Sequence, residues 1–281
     1  MTFSYLNGKS ILVTGSKGFI GKHLVRKLKS LNLNFIEFEG DVKDDISIEG
    51  NVDIVFHLAA KVPQKNSNEE EFSLVNEKGT INVLKFCKDR GAKMIYPSTI
   101  GVYGVPREAI INEKSKLSPK INPYVYSKFK GEEACLEYSK KYGINYVILR
   151  ISNVYGPEQV GKGLIPTLVD ALKKDEVAQL RDKNNFRDFI YIEDVIDAIL
   201  LSAKDEVNNL TINLGYGKTY TTEEVVKTIN KISNKVLKVN YAGANDKEVR
   251  GFGVNISLAK AALGFYPKFN LEKGLKEVFG F

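Results

Sequence analysis

Short apolar runs alternate with longer stretches of helical spacing through the first half of this chain. Residues 11–13, 35–38, 54–58, 94–96 and 146–149 are compact, mostly apolar runs and read as buried strands. Between them, residues 18–31, 76–90 and 124–142 carry apolar side chains at helical spacing. The last two of these stretches meet Gly91 and Gly143, residues suited to end a helix. Strands that are apolar throughout, separated by helices, predict a parallel sheet covered on both faces. With right-handed crossovers, this is an α/β fold with a doubly wound parallel sheet of the dinucleotide-binding (Rossmann) kind.

Beyond residue 156 the alternation loosens. Helical spacing persists over 164–174, 193–203, 222–232, 257–263 and 271–279, with short strands at 211–214 and 237–240. Thr221-Thr222-Glu223-Glu224 predicts a helix start, hydroxyl caps followed by early carboxylates. The expected organisation is a dinucleotide-binding domain over 1–156, whose core also receives part of 186–215. Residues 157–281 then form mainly a smaller substrate-binding lobe. No internal repeat or low-complexity linker intervenes, so the two are expected to pack closely.

The 281 residues, 43% of them hydrophobic, suffice for a full core. The two cysteines, Cys87 and Cys135, sit inside helical patterns and form no disulfide framework, which points to a reducing compartment. Residues 1–8 lack a basic leader, and no run approaches the roughly 18 apolar residues that span a bilayer. The expectation is a soluble, cytoplasmic protein with no membrane partner. A net charge of +7 would suit nucleic acid, but the lysines are mixed with carboxylates, as in Lys43-Asp44-Asp45, and no RNA-binding aromatic motif accompanies them. A solvated surface that attracts small anions is the better reading, and no nucleic-acid partner is expected.

The first strand runs into Gly15-Ser16-Lys17-Gly18-Phe19-Ile20-Gly21. Gly15 permits a tight turn, Gly18 lets the backbone approach a pyrophosphate, and Gly21 lets helix and strand pack closely. The diphosphate would meet the helix start, which makes Phe19 and Ile20 binding candidates as well. Glu39, at the end of the second strand, is placed to meet the adenosine ribose hydroxyls, with Asp41 and Val42 beside the adenine. A carboxylate there favours NAD. Lys17 pulls towards a 2′-phosphate, so NADP stays possible, with more weight on Glu39. Leu58, Ala59, Ala60 and Lys61 follow the third strand, where small residues let a cofactor lie close. His57 reads as a strand residue packed against a helix.

About a hundred residues after the glycine turn stands Tyr124-Val125-Tyr126-Ser127-Lys128, preceded by Asn122-Pro123, a helix start. Tyr124 and Lys128 then share a helix face. An ammonium near a phenol is expected to favour the phenolate and lower the tyrosine pKa, fitting Tyr124 for proton transfer. Thr99 falls at the carboxyl end of a parallel strand, where such sheets bind ligands, and its hydroxyl can donate and accept. Tyr103 and Tyr126 read as packing or substrate wall. No metal site is expected.

Seven ordered motifs carry a resemblance. They are Thr14-Gly15-x-x-Gly18-x-x-Gly21, His57-Leu58-Ala59-Ala60, Asn76-x-x-Gly79-Thr80, Ser98-Thr99-x-x-Val102-Tyr103-Gly104, Tyr124-x-x-x-Lys128, Leu149-Arg150-x-x-Asn153-Val154-Tyr155-Gly156-Pro157 and Arg187-Asp188-Phe189-Ile190-Tyr191-Ile192. Over nearly its whole length the chain resembles the extended short-chain dehydrogenase/reductases, the NAD-dependent epimerase/dehydratase family, which typically acts on nucleotide sugars. The resemblance implies Thr99, Tyr124 and Lys128 as catalytic residues, with Lys128 also bonding the nicotinamide ribose and Asn76 among the cofactor contacts. It implies a nucleotide-sugar substrate held at Thr99 and Tyr124, with Asn153 and Arg187 on its diphosphate.

Three departures stand out. The 4,6-dehydratases carry Asp-Glu directly after the catalytic threonine, where this chain has Ile100-Gly101. The glycine-rich stretch usual before Arg187 is Arg181-Asp182-Lys183-Asn184-Asn185. The second diphosphate arginine, usual near 245–249, is missing, leaving Arg250 or Lys247 to replace it. The expected function is a nucleotide-sugar 4-epimerase working through a transient 4-keto sugar. The alternatives are an NAD(P)H-dependent reductase of a 4-keto nucleotide sugar and a catalytically silent dinucleotide-binding sensor. Family members commonly dimerise through two long helices. The matching segments here, 75–89 and 132–140, lead to the expectation of a homodimer.

Overall fold

The computed structural model describes residues 3–63, 67–161, 163–243 and 251–280. Its strands are β1 (Ile11–Thr14), β2 (Phe35–Phe38), β3 (Ile54–His57), β4 (Lys93–Thr99), β5 (Ile110–Ile111), β6 (Tyr146–Ile151), β7 (Asn153–Tyr155), β8 (Ala178–Leu180), β9 (Phe186–Tyr191), β10 (Leu210–Leu214), β11 (Thr219–Thr221), β12 (Val239–Tyr241) and β13 (Gly251–Val254). Its helices are α1 (Phe19–Ser30), α2 (Glu69–Phe72), α3 (Gly79–Arg90), α4 (Pro123–Tyr142), α5 (Leu164–Lys174), α6 (Ile192–Leu201), α7 (Thr222–Ser233) and α8 (Leu271–Phe279).

Six strands form one parallel sheet in the order β10-β6-β4-β3-β1-β2. Successive strand residues face opposite ways, and here both directions are apolar. Ile11, Val13, Ile54, Phe56, Ile95, Val147 and Leu149 enter the core with α1 and α6. Leu12, Val55, Met94, Tyr96, Tyr146 and Ile148 enter the core with α3 and α4. Each fully buried aliphatic side chain contributes about 1.5–3 kcal/mol, so the two cores hold the sheet from both sides. The doubly wound architecture is the one predicted.

One feature differs from the usual dinucleotide order, in which a further strand lies outside the second. Here β2 is the edge. Residues 39–53, between β2 and β3, contain no regular helix and are held by buried Val42 and Val52. The predicted helix over 257–263 is helical throughout, its last five residues, Ala259–Leu263, being π-helical, and the last predicted strand shifts to Val239–Tyr241.

Strand β4 runs past the predicted 94–96 because β6 pairs with it from Met94↔Tyr146 to Thr99↔Ile151. Pro97 is tolerated in this central strand because pairing with β3 stops at Phe56↔Ile95, so its missing N–H breaks no ladder on that side. The extension carries Ser98 and Thr99 out beyond β3.

Strand β6 changes sheets at Ser152. Up to Ile151 it lies between β4 and β10; from Asn153 it pairs with β9 of a second sheet, ordered β11-β9-β13-β5. Helix α7 starts with the expected capping box: Glu224 N–H donates to Thr221 Oγ1 at 3.1 Å, and Thr221 N–H donates to Glu224 Oε2 at 2.7 Å. The ends of β4 and β6, the start of α4 and the second sheet therefore meet around one place.

Candidate active site

Gly15 leaves β1 with φ 69°, in the left-handed region, and a Cβ there would collide with Ala59 N. Gly21 is equally confined, since a Cβ would collide with Gly15 O. Gly18 caps α1 with no side-chain acceptor, and the first turn of α1 holds no acidic residue. The opening N–H groups of α1, at Phe19, Ile20 and Gly21, are left for an anion at the cleft. A dinucleotide pyrophosphate fits this cradle on geometry alone.

Further along, Gly15, Lys17, Gly18, Glu39, Asp41, Val42, Leu58, Ala59 and Ala60 line a cleft of about 500 Å³. Lys17 and Glu39, read from the sequence as pulling towards different cofactors, pair with each other at 3.7 Å, both side chains mostly exposed. Asp41 turns towards Lys43, 3.0 Å away, and the Lys43 backbone N–H holds its carboxyl below the usual range.

Two expected cofactor contacts sit differently. Asn76 is buried rather than lining the cleft, because its amide is consumed in a clamp: Oδ1 accepts from Lys61 N–H at 2.7 Å, while Nδ2 donates to Lys61 O at 3.0 Å and Ser127 Oγ at 2.9 Å. Lys61 directs its ammonium to Glu71 at 2.6 Å. Both residues hold the 59–61 turn in place.

His57 does similar work. Ala59 N–H donates to Thr14 Oγ1, and Thr80 Oγ1 donates to Asn76 O. The imidazole fits between them only as the neutral Nε2–H tautomer, accepting from Thr14 and donating to Thr80. Burial pulls its pKa down to about 3, consistent with a ring that stays uncharged.

Thr99, Tyr124 and Lys128 line one cavity together with Gly15, Gly18 and Ser152. Asn122 Oδ1 accepts from Val125 N–H at 2.9 Å and Pro123 begins α4, which sets Tyr124 in the first turn. Its ring meets Phe72 edge-on at 6.1 Å. Thr99 Oγ1 accepts from Gly101 N–H at 3.1 Å, leaving its hydroxyl proton for the cleft. A Cβ on Gly101 would stand 2.8 Å from Val125 Cγ2, so the position where dehydratases carry a carboxylate has no room for one without movement.

The electrostatics correct one expectation. Tyr124 is not made more acidic: burial pushes its pKa up to about 12. Burial likewise pulls Lys128 down to about 7, and its ammonium lies over the Tyr96 ring, 3.9 Å from the centroid. Desolvation of both groups outweighs their helical adjacency. Tyr103 is packing rather than wall: it is buried, accepts from Arg150 Nη1 at 2.9 Å and donates to Asn213 Oδ1 at 2.8 Å. Tyr126 is partly exposed beneath Lys120 and Lys130 and lies outside these cavities.

From Tyr124 a larger cleft of about 610 Å³ opens towards the second sheet. Asn153 and Arg187 line it. Asn153 Nδ2 donates to Asp188 O at 2.9 Å, and Arg187 Nη1 donates to Phe186 O at 2.7 Å. Gln159, Gln179, Arg181, Asn185 and Thr222 join them, none proposed from sequence. Arg181 and Asn185 come from the very stretch that departs from the glycine-rich pattern. Buried Asp188 accepts from Ser152 Oγ, Tyr216 N–H and Gly217 N–H, fixing Ser152 and the 215–217 loop; burial pushes its pKa up to about 6. Arg250 and Lys247 lie outside the described residues. No cluster of His, Cys, Asp and Glu suited to a metal occurs among the described residues, and no helix among them is long and apolar enough to cross a membrane.

Residues 11–215 match the model of the NAD dependent epimerase/dehydratase family. A relative from Methanocaldococcus jannaschii, provisionally named a UDP-glucose 4-epimerase, is 33% identical, covering 95% of this chain and 96% of its own. The UDP-glucose 4-epimerase of Thermotoga maritima, solved with UDP-glucose, superposes with a TM-score of 0.85 at 27% identity, covering 97% of this chain and 99% of the other. The UDP-glucuronic acid 4-epimerase of Bacillus cereus, solved with UDP-glucuronic acid and NAD, gives 0.85 at 26% identity, covering 97% and 98%. The chain belongs to the NAD-dependent epimerase/dehydratase family and is an enzyme of the extended short-chain dehydrogenase/reductase type.

Proposed function

We propose that this enzyme inverts the configuration at C4 of a nucleotide sugar through a transient 4-keto sugar, with NAD as its resident cofactor. The observation that carries the reading is the convergence of Thr99 and Tyr124 between the uncapped start of α1 and the cleft of Asn153 and Arg187. Gly15, Gly18 and Gly21 would hold the pyrophosphate, Glu39 the adenosine ribose and Lys128 the nicotinamide ribose. NAD, when bound, supplies a hydride acceptor and donor and a positive ring charge.

Tyr124 accepts the C4 hydroxyl proton and later returns it. Burial leaves it protonated at rest; to take up and release the proton in turn it needs the cationic surroundings that Lys128 and the occupied site provide. The Thr99 hydroxyl donates a hydrogen bond to the same oxygen and keeps it oriented. Arg187 offers a planar fork to the diphosphate, which acts as the pivot while the keto sugar turns its other face. The pairing of Lys17 with Glu39 and the absence of a carboxylate after Thr99 favour this reading over reductase and dehydratase.

Incubation with UDP-, dTDP- and GDP-sugars followed by product NMR tests the proposal. The expected result is a C4 epimer formed without consumption of reduced cofactor. Stoichiometric oxidation of NADH or NADPH by a 4-keto sugar would replace it with the reductase reading, and no conversion at all with the sensor reading.

A further inference from the structure

A smaller cleft of about 250 Å³ also reaches Thr99, and Lys128 does not line it. Its size suits the edge of a sugar ring and not a nucleotide, for which the cleft of about 610 Å³ has more room. One side of its wall is apolar, formed by Ile100, Val105, Ile121 and Phe252, with Gly101 and Gly251 where side chains are missing. Val105 and Ile121 are 66% and 48% exposed, so this apolar surface faces solvent until something covers it. The Gly101 N–H is already used by Thr99 Oγ1. Ser152 Oγ is committed to Asp188 and Asn153 Nδ2 to the Asp188 carbonyl. The cation among the described residues lining this cleft is Arg187, which also lines the larger cleft.

With C4 at Thr99 and Tyr124 and the anomeric diphosphate running past Asn153 into the larger cleft, one of the two ring orientations that the pivot allows turns the C5 side of the ring to this wall. The bulkiest substituent on that side is the exocyclic group on C5. An apolar group there gains burial against Val105, Ile121 and Phe252. A carboxylate there loses water and competes with the diphosphate for Arg187. We infer that the enzyme selects nucleotide sugars with a neutral, apolar C5 substituent, a 6-deoxyhexose methyl above all, and discriminates against uronates. This rests on the nucleotide-sugar reading and names the substrate class within it.

Four ligands that differ only at C5 test it: UDP-6-deoxyglucose (methyl), UDP-glucose (hydroxymethyl), UDP-xylose (hydrogen) and UDP-glucuronate (carboxylate). Affinity is measured by calorimetry on the cofactor-loaded enzyme, and turnover separately by NMR. The methyl compound is expected to bind tightest, and the uronate at least about tenfold more weakly than UDP-glucose. Uronate binding as tight as UDP-glucose, or equal affinity for all four, overturns the inference. The expected binding order without C4 inversion would retain it while sinking the epimerase proposal; failure of all four to bind would sink both. Val105→Lys, at an exposed position, is expected to raise the uronate-to-methyl affinity ratio by about tenfold. An unchanged ratio in the folded variant would contradict the placement of the C5 group.

Discussion

Lys128 rests its ammonium on the face of Tyr96, Nζ 3.9 Å from the ring centroid, inside the cavity that also holds Thr99 and Tyr124. The aromatic face supplies some of the stabilisation that water would otherwise give, yet burial still brings the lysine pKa down to about 7. An unfolded lysine titrates near ~10.4. Between these values the unfolded chain binds the extra proton, so this group makes stability rise as pH climbs from about 7 towards 10, and its full penalty is present below about 7. Denaturant melts at pH 7 and pH 9 should show wild type gaining stability over that range, and Lys128→Met gaining less. An identical gain in both proteins would rule out Lys128 as the source.

Tyr124→Phe keeps the ring and its contact with Phe72 and removes only the proton-transfer group. Turnover is expected to fall by roughly 10²–10⁴-fold, with cofactor affinity nearly unchanged. A variant with more than about a tenth of wild-type turnover would show that another group moves the proton.

The Lys17–Glu39 pair is open to solvent and worth little to stability. Its consequence is selectivity. Removing the carboxylate in Glu39→Ala frees Lys17 and ends the repulsion of a 2′-phosphate, so affinity for NADP relative to NAD should rise by roughly an order of magnitude. Lys17→Ala should move the ratio the other way. Fluorescence titration with both cofactors measures it, and an unaltered ratio in both variants would show that the pair does not read the ribose.

Glu132 on α4 and Arg150 on β6 form a buried pair beside Ser98. Arg150 Nη2 donates to Glu132 Oε2 at 2.7 Å, and Ser98 Oγ donates to Glu132 Oε1 at 2.5 Å. Glu132→Ala leaves a guanidinium stranded without water, and should cost about 3–5 kcal/mol in urea unfolding. Replacing both partners, as Glu132→Leu with Arg150→Met, should recover much of that loss. A single variant as stable as wild type would mean that water reaches the pair.

The sequence made legible whatever local spacing encodes. Apolar runs gave the main-sheet strands, Gly91 and Gly143 the ends of α3 and α4, and the glycine turn the start of α1. Features that depend on distant partners stayed hidden. Asn76 carries no local sign that its amide will clamp Lys61. Residues 186–191 do not advertise that β9 will draw β7 out of the main sheet at Ser152. Arg181 and Asn185 read as a break in a pattern because their cleft is assembled from α5, β8 and β9 together. The proximity of Tyr124 and Lys128 was visible, but their loss of water, which decides both pKa values, was not.

In the proposed mechanism C4 itself is oxidised and reduced, while Tyr124 moves only the oxygen-bound proton. UDP-glucose carrying deuterium at C4 tests this directly when incubated with the cofactor-loaded enzyme in ordinary water. Return of the same hydride gives UDP-galactose with deuterium still at C4, and no hydrogen from solvent at that carbon. Loss of the label to water during inversion would contradict it, because a base removing the C4 proton would then have done the work assigned to hydride transfer.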